Sequence, residues 1–272
     1  MTVYPCAKIN LGLNVVNKRL DGYHNLETVF YPIDIHDELS VEVCDTDGCK
    51  LVVKGQDTNC DANDNLVVKA YNLLRKDYIM PGVCATLVKS LPMQAGLGGG
   101  SSDGAYMIRL LNEMFQLGLG KNEMKAYASR LGADCAFFIE AEPSYAEGIG
   151  DILVPCDIPV LKGHKLVLVK PDVAVSTKEA YAGITPCSTQ KKCIDILGQP
   201  ISTWRDELKN DFEDSVFSKL PVLSDIKKSL YDKGALYAAM SGSGSTVYGI
   251  FNDNPSEIES VFPDYYVKVV SL

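Results

Sequence analysis

LPMQAGLGGGSSDGA, residues 91–105, is the stretch of this sequence that decides the fold. A β-rich apolar run precedes it at 83–88. The apolar residues that follow it recur at helical spacing: Ala105, Ile108, Leu111 and Phe115. The predicted order is therefore strand, glycine loop, helix. Glycines lack a Cβ, so the amides of this loop can approach a ligand closely. A helix that starts at Ser101–Asp103 adds free N–H groups and a positive dipole end, which suit the phosphates of a nucleotide.

Two better-known phosphate loops do not fit this stretch. A P-loop requires Gly-Lys-Ser or Gly-Lys-Thr after its spacer, and no lysine follows these glycines. The dinucleotide fingerprint requires a third glycine at position 101, which is Ser101. A flexible surface turn is the alternative interpretation. The close framing of the glycines by a strand and a helix favours a binding loop.

Composition excludes several classes of function. The chain has 272 residues, a net charge of −9 and no long basic run, which argues against DNA or RNA as a partner. With 46% hydrophobic and 22% charged residues, the composition is typical of a globular protein with a real core. No apolar run reaches membrane-spanning length, and the N-terminus lacks the pattern of a signal peptide. We therefore expect a cytoplasmic protein with no membrane partner. The sequence does not give the oligomeric state.

The nine cysteines are odd in number, and no two form a C-x-x-C pair. A disulfide framework or a zinc site is therefore not expected, and free thiols are the default. Three scattered histidines also give no reason to expect a metal cluster. No metal-binding residue is predicted.

The loop carries a family resemblance. Pro92-x-x-Ala95-Gly96-Leu97-Gly98-Gly99-Gly100-Ser101-Ser102 resembles the second signature of the GHMP kinases, which bind ATP through a glycine loop unlike the P-loop. The resemblance implies ATP as the cofactor, with Mg²⁺ carried on it. The residues that it implies for ATP binding are Asn65, Leu66, Lys89, Pro92, Met93, Gln94, Ala95, Gly96, Leu97, Gly98, Gly99, Gly100, Ser101 and Ser102. From pattern alone, Asp64 or Asn65 caps the helix that follows, and capping is the alternative role of Asn65.

Motifs nearer the N-terminus point to one branch of this family. The run 6–18 alternates as a strand and places Lys8 and Asn10 on one face, where a lysine would ordinarily be solvated. A-K-I-N-L-G-L and D-G-Y-H-x-L-x-T are nevertheless similar to the branch whose members phosphorylate a cytidylated methylerythritol. The resemblance implies that Asn10, Tyr23 and His24 bind the substrate. An aromatic ring can stack on a base, and an imidazole can hydrogen-bond its edge.

Later motifs supply the remaining site residues. G-A-D-x-x-x-F at 132–138 resembles the family segment that carries the catalytic aspartate, so the resemblance implies Asp134 as catalytic, although a lone Asp there is more often a cap or turn residue. Lys8 is the second catalytic residue that it implies, as the cation that keeps this carboxylate ionised. The loop at 239–246 matches the third signature. The further substrate-binding residues implied are Thr177, Tyr181, Gly242 and Ser243. As an alternative, Tyr181 fills the core.

The predicted fold class is α+β. The resemblance implies a two-domain GHMP kinase fold, with a ribosomal-S5-like ATP-binding domain at 1–154 and a ferredoxin-like domain at 155–272 that contributes to the substrate site. The implied reaction transfers the γ-phosphate of ATP to the C2 hydroxyl of the cytidylated alcohol, in the non-mevalonate route to isoprenoids. Two alternatives stay open. One is a GHMP kinase that acts on mevalonate, homoserine or a sugar, and the other is a nucleotide-binding homologue without catalysis.

Overall fold

The structure is a computed structural model, and it describes residues 1–56, 61–186 and 191–272. The strands of these segments are β1 (Thr2–Val3), β2 (Cys6–Lys18), β3 (His24–His36), β4 (Glu38–Val43), β5 (Cys49–Gly55), β6 (Val83–Lys89), β7 (Ser144–Glu147), β8 (Ile152–Pro155), β9 (Lys165–Lys170), β10 (Tyr237–Met240), β11 (Val247–Phe251) and β12 (Tyr266–Ser271). The α-helices are α1 (Leu66–Arg75), α2 (Gly99–Met114), α3 (Lys121–Ser129), α4 (Thr177–Tyr181), α5 (Cys193–Leu197), α6 (Trp204–Glu207), α7 (Phe212–Lys219), α8 (Pro221–Asp232) and α9 (Ile258–Val261). Short 3₁₀ helices lie at Ala62–Asp64, Ala133–Ile139, Pro159–Leu161 and Ile201–Thr203.

The chain forms two compact units, and neither is continuous in sequence. The first contains residues 1–7, 35–93 and 98–142, and the second contains residues 8–34, 94–97 and 143–272. The glycine loop therefore changes unit twice within a few residues. The domain boundary predicted at 154/155 stays a prediction.

The first unit is built on a sheet with the strand order β1-β4-β6-β5. β4 pairs antiparallel with β6, and β5 pairs parallel with it. Alternate residues of β6 are buried, and this inward-facing set ends with Lys89. α1 packs closely on α2 at Gly104, where a Cβ would lie 2.9 Å from the Leu66 Cβ. The strand, loop and helix order predicted around the glycines is confirmed, with the helix starting two residues earlier, at Gly99.

A disulfide joins Cys44 and Cys84 in this unit, with their Cα atoms 5.7 Å apart. The expectation of free thiols throughout is therefore wrong. The antiparallel register pairs Val43 with Val83, so Cys44, the residue after β4, comes next to Cys84 of β6, a proximity that their separation of 40 residues does not reveal. The described cysteines outside this disulfide are Cys6, Cys49, Cys135, Cys156 and Cys193. Cys60 and Cys187 lie outside the described residues.

The second unit contains two sheets, with the strand orders β2-β3-β7-β8 and β10-β11-β9-β12. All pairings in the latter sheet are antiparallel, and its strands follow one another as β9, helices, β10, β11, α9 and β12. This is the β-α-β-β-α-β order of a ferredoxin-like unit. The predicted α+β class is confirmed. The core of the second unit also includes Leu13 and Val15 of β2, which pack with residues of β9, α7 and α8.

Candidate active site

The start of α2 is arranged to receive an anion. Gly98 is its N-cap residue with φ of 72°, a left-handed conformation that favours glycine, and no side chain caps the helix. A Cβ on Gly100 would meet no atom within 4 Å, so the space beside the first turn is open. The Ser102 hydroxyl is buried and has no hydrogen-bond partner in the described part of the chain. The N–H groups of the first turn and the Ser102 hydroxyl can therefore donate hydrogen bonds to the oxygens of a phosphate group.

Lys89 lies at the end of β6, where its side chain is 2% exposed. Its ammonium forms ion pairs with Asp37 and, at 2.8 Å, with Asp103 of α2. Sequence reasoning selected Lys89 for the nucleotide but missed both acids. A buried lysine requires such partners, so the alternation of β6 is the signal that could have prompted a search for them.

Asn65 and Leu66 stand at the start of α1. The Asn65 Oδ1 atom accepts a hydrogen bond from the Val67 N–H at 2.9 Å, so Asn65 is the one of the two predicted caps that caps α1. Leu66 packs against Gly104 of α2. Pro92 and Met93, which follow β6, are both half-buried. Their contact with a nucleotide stays a prediction.

Asp134 lies in the 3₁₀ helix Ala133–Ile139 and is half-buried. The next residue, Cys135, is fully buried, and burial raises the pKa of its thiol to about 12 against the opposing effect of the neighbouring Ser101 hydroxyl. Ser101 belongs to the first turn of α2. Within the first unit, the segment that carries the predicted catalytic acid therefore lies next to the start of α2.

Residues 94–97 of the glycine loop belong to the second unit and are held there by backbone contacts. The Lys8 N–H donates to the Leu97 carbonyl at 3.0 Å, and the Thr246 N–H donates to the Ala95 carbonyl at 3.2 Å. Gly96 has φ of 72°, and a Cβ there would lie 2.0 Å from the Ser241 carbonyl oxygen. Close packing against the loop at 239–246 therefore requires a glycine at this position, whatever ligand binds.

Lys8 and Asn10 share one face of β2, as the alternation predicts. The Lys8 Nζ atom donates to Asn10 Oδ1 at 2.6 Å, and the Asn10 amide donates to the Thr28 hydroxyl at 3.0 Å. Lys8 is only 3% exposed and its ammonium lies 5.1 Å from the centre of the Phe30 ring. The interpretation of Lys8 as a solvated edge residue is therefore wrong, because hydrogen bonding and a cation–π contact offset its burial.

The loop at 239–246, the second small-residue loop, is positioned by Asn210, a residue to which the sequence assigned no role. The Asn210 side-chain amide donates to the carbonyls of Met240 at 2.7 Å and Gly242 at 2.8 Å. Ser241 donates its hydroxyl to the Gly96 carbonyl at 2.9 Å, which ties the second loop to residues 94–97. Asn210 and Ser241 thus fix the shape of the loop that carries Gly242 and Ser243.

An aromatic cluster lies at the start of β3. The rings of His24 and Tyr181 stack with their centres 4.8 Å apart and their planes at 16°, and Phe212 meets Tyr181 edge-on. Tyr23 is 62% exposed on the preceding turn. The Thr177 and Ser243 hydroxyls lie 3.3 Å apart. The structure therefore brings His24 together with Tyr181, while it leaves Tyr23 at the surface.

Within the described ranges, no group of three His, Cys, Asp or Glu residues could hold a metal ion. No helix among them is both long and apolar enough to cross a bilayer. Mg²⁺ usually binds through one or two carboxylates together with substrate phosphates. The donors described at the start of α2, N–H groups and a hydroxyl, fit phosphate oxygens, and an Mg²⁺ ion can enter with those oxygens.

Comparisons with known proteins agree with this geometry. The family model "GHMP kinases N terminal domain" matches residues 65–142, and "GHMP kinases C terminal" matches residues 189–268. A 4-diphosphocytidyl-2-C-methyl-D-erythritol kinase of Bacteroides fragilis is 52% identical over 93% of this chain and 92% of its own length. The enzyme of the same name from Parabacteroides distasonis is 47% identical over 98% of both chains.

Solved structures show the same architecture. A crystal structure of 4-(cytidine 5'-diphospho)-2C-methyl-D-erythritol kinase superposes with a TM-score of 0.83 and 28% identity over 100% of both chains. A mevalonate kinase from Methanococcus jannaschii superposes with a TM-score of 0.72 at 14% identity, over 100% of this chain and 98% of its own. The latter likeness extends to the fold alone.

Proposed function

The chain belongs to the GHMP kinase family, and on that premise we propose that it phosphorylates the C2 hydroxyl of 4-diphosphocytidyl-2-C-methyl-D-erythritol with ATP. The reaction is a step of the non-mevalonate isoprenoid pathway. The observation that carries the substrate class is the pairing of the His24 and Tyr181 rings, because a flat aromatic face of this kind can stack on a pyrimidine. A relative that carries this name is 52% identical to the chain, which supports the same substrate.

Phosphoryl transfer requires positioning and neutralisation of charge more than covalent chemistry. In the proposed reaction Asp134 accepts the proton of the attacking hydroxyl, or orients that hydroxyl. Lys8, which Asn10 and Phe30 hold in place, stabilises the negative charge that spreads over the transferred group. When bound with ATP, Mg²⁺ supplies further positive charge to the phosphate oxygens.

The proposed nucleotide site centres on the first turn of α2. The amides that follow Gly98 bind the β- and γ-phosphates together with Ser101 and Ser102, because these donors are uncapped and the neighbouring space is open. Asn65 and Leu66 contact the adenine or ribose. Residues 92–97 complete the proposed set of nucleotide contacts. Lys89, which the resemblance also implies, is paired with Asp37 and Asp103 at the edge of this site.

The proposed alcohol site uses residues of the second unit. Tyr181 stacks on the cytosine, His24 reads its edge by hydrogen bonding, and Tyr23 closes over it from the exposed turn. Asn10, Thr177, Gly242 and Ser243 contact the remainder of the substrate. His24 covers one face of Tyr181 in this structure, so a base that uses this face displaces the imidazole ring.

Two other functions remain to be weighed. Mevalonate, homoserine and sugars have no base that could stack on an aromatic ring, so the aromatic cluster argues against a kinase that acts on one of them. A nucleotide-binding homologue without catalysis has no need of Lys8 and Asp134, and both are present. We further propose a cytoplasmic protein whose partners are small molecules, with neither nucleic acid nor membrane bound, in keeping with the net charge of −9.

A coupled ADP-release assay across candidate alcohols tests this function. The cytidylated methylerythritol should be phosphorylated, and mevalonate, homoserine and galactose should give only background rates. Turnover of one of these three in preference to the cytidylated alcohol would leave the chain a GHMP kinase with another substrate. ATP-analogue binding without turnover of any alcohol would favour the non-catalytic homologue.

A further inference from the structure

A buried network of three charged side chains joins three segments of the first unit. Lys89, at the end of β6, contacts Asp37, which lies between β3 and β4, and Asp103 in the first turn of α2. None of these three side chains is more than 4% exposed. Asp37 also accepts hydrogen bonds from the backbone N–H groups of Ser90 at 2.6 Å and Leu91 at 2.9 Å.

These contacts act on both ends of the glycine loop. Residues 89–91 lead into the loop, and Asp103 belongs to the helix turn that leaves it. The Lys89 ammonium lies close to the turn itself, since a Cβ built on Gly99 would come 3.4 Å from its nitrogen. One lysine thus ties the incoming backbone, through Asp37, to the outgoing helix, through Asp103.

The charges of this network favour a fixed lysine. Burial alone would lower the pKa of Lys89, but Asp103 and Asp37 outweigh this effect and raise it, so the ammonium stays charged. Breaking such a buried pair from one side leaves a buried charge without its counter-ion, which is strongly destabilising. A lysine with these two partners is held where it is.

We propose that Lys89 is a positioning residue and not an ATP ligand: with Asp37 and Asp103 it clamps the two ends of the glycine loop so that the first-turn amides of α2 point at the phosphates. The proposal rests on the function proposed above, because it takes this turn as the phosphate site. It changes the role expected for Lys89 from direct contact with the nucleotide to support of the loop that makes the contact.

Asp103→Ala is the decisive variant, because it opens the clamp on the helix side and leaves the neutral Lys89–Asp37 pair and both backbone contacts of Asp37 in place. The affinity for a non-hydrolysable ATP analogue, measured by calorimetry, should fall about tenfold or more, equal to about 1.4 kcal/mol. KM for ATP should rise in step, while KM for the alcohol stays unchanged. Glu113→Ala, an exposed acid on the same helix, is the matched control and should bind the analogue like the parent.

A direct contact between Lys89 and ATP predicts a different result for Asp103→Ala. If Lys89 were an ATP ligand, Asp103→Ala would release it from a competing carboxylate, and the affinity would stay the same or rise; either outcome overturns the clamp. A parent protein that fails to bind the analogue at all would instead refute the proposed function. The two failures are therefore distinguishable.

A neutral version of the network gives a second test. Lys89→Met combined with Asp37→Asn and Asp103→Leu removes all three charges, and the amide oxygen introduced by Asp37→Asn can still accept from the N–H groups of Ser90 and Leu91. A clamp can be replaced in this way, since buried ion networks often tolerate apolar substitutes. The folded triple variant should bind the analogue within about threefold of the parent. A loss of more than about tenfold in a folded triple variant would mean that the ammonium contacts ATP, and it would refute the proposal.

Discussion

At the residue scale, the proposed mechanism rests on two side chains, Lys8 and Asp134. Lys8 is buried and hydrogen-bonded to Asn10, and Asp134 lies one residue before Cys135, whose thiol neighbours Ser101 of α2. Each therefore has a defined surrounding that a substitution of similar size can preserve. Such substitutions test chemistry separately from folding.

Asp134→Asn should keep the shape of the side chain and remove the base. We expect turnover to fall by about 10²-fold or more while ATP binding stays nearly intact. Steady-state kinetics at saturating substrates, with calorimetry for the ATP analogue, measure both quantities. Lys8→Met, which keeps the stem and removes the charge, should behave in the same way. Turnover close to that of the parent for Asp134→Asn would remove Asp134 from the mechanism.

Tyr181→Ala should raise KM for the cytidylated alcohol by about tenfold, because stacking on a base is worth roughly 1–3 kcal/mol by alanine substitution. The affinity for the ATP analogue should change little. Tyr4→Ala, which removes an exposed tyrosine from the first unit, serves as the control. An unchanged KM would place the base elsewhere.

His24→Ala should weaken discrimination between the cytidine and uridine forms of the substrate, because a hydrogen-bonding site rejects the wrong base edge. Competition between the two forms in one reaction measures this ratio. An unchanged ratio would mean that His24 does not read the base.

At the scale of elements, different structural constraints require glycine at different positions of the loop. Gly96 is fixed by its close approach to Ser241, and Gly98 by its left-handed backbone. Gly100 has neither constraint, since a Cβ there would meet nothing within 4 Å. A side chain at Gly100 therefore tests the phosphate site without disturbing the fold.

Gly100→Val should bind the ATP analogue about tenfold more weakly or worse and should unfold at nearly the temperature of the parent. Gly96→Ala should lower the unfolding temperature, because its Cβ collides with backbone. Gly198→Val, at the exposed end of α5, controls for the substitution itself. Parent-like affinity in folded Gly100→Val would show that phosphates bind elsewhere.

Asp103, in the first turn of α2, should make the stability of the protein depend on pH. Burial raises the pKa of Asp103 to about 7, although Lys89 opposes the effect, and Asp37 adds to the rise. The folded state then keeps a proton that the unfolded state loses near pH 4, so this contribution to stability is present at low pH and is lost as the pH rises through about 7. Above that pH Asp103 is the carboxylate that pairs with the Lys89 ammonium. Asp37 and Lys89 are the charged groups that face Asp103.

We expect the free energy of unfolding of the parent to fall between pH 5 and pH 8 by more than that of Asp103→Asn, which does not titrate. Urea unfolding at each pH measures the difference, and the comparison cancels other buried acids such as Glu27 and Glu213. Parallel pH profiles for the two proteins would mean that Asp103 is already ionised at pH 5.

At the scale of the whole molecule, each compact unit contains separate stretches of the chain. Leu13 and Val15 of β2 are buried in the core around β9 and α8. The Leu13 N–H donates to the Lys209 carbonyl at 2.8 Å, and the Asp211 N–H donates to the Leu13 carbonyl at 2.9 Å. The core of the second unit therefore depends on a strand near the N-terminus.

Residues 155–272 expressed alone should consequently lack a cooperative thermal transition, because they lose two core side chains and the backbone partners of Lys209 and Asp211. Circular dichroism on heating, with the full chain as reference, checks this. A sharp transition in the fragment would support an autonomous domain beginning at 155.

The sequence by itself determined most elements and the chemistry expected of them. Alternation over 6–18 predicted β2 with the bounds that the structure shows, and glycine framed by a strand and a helix predicted the start of α2 to within two residues. These features are encoded locally, because the alternation of apolar and polar residue types and the absence of a Cβ act within a few residues.

Only the tertiary structure decided which distant residues meet. The fold joins Cys44 to Cys84 and places two buried acids beside Lys89. It also stacks His24 on Tyr181 and hydrogen-bonds Asn210 to the loop at 239–246. Local pattern could not supply these contacts, because they follow from strand register and loop packing between segments far apart in the chain. For the same reason the sequence suggested a solvated Lys8, and the fold buried it.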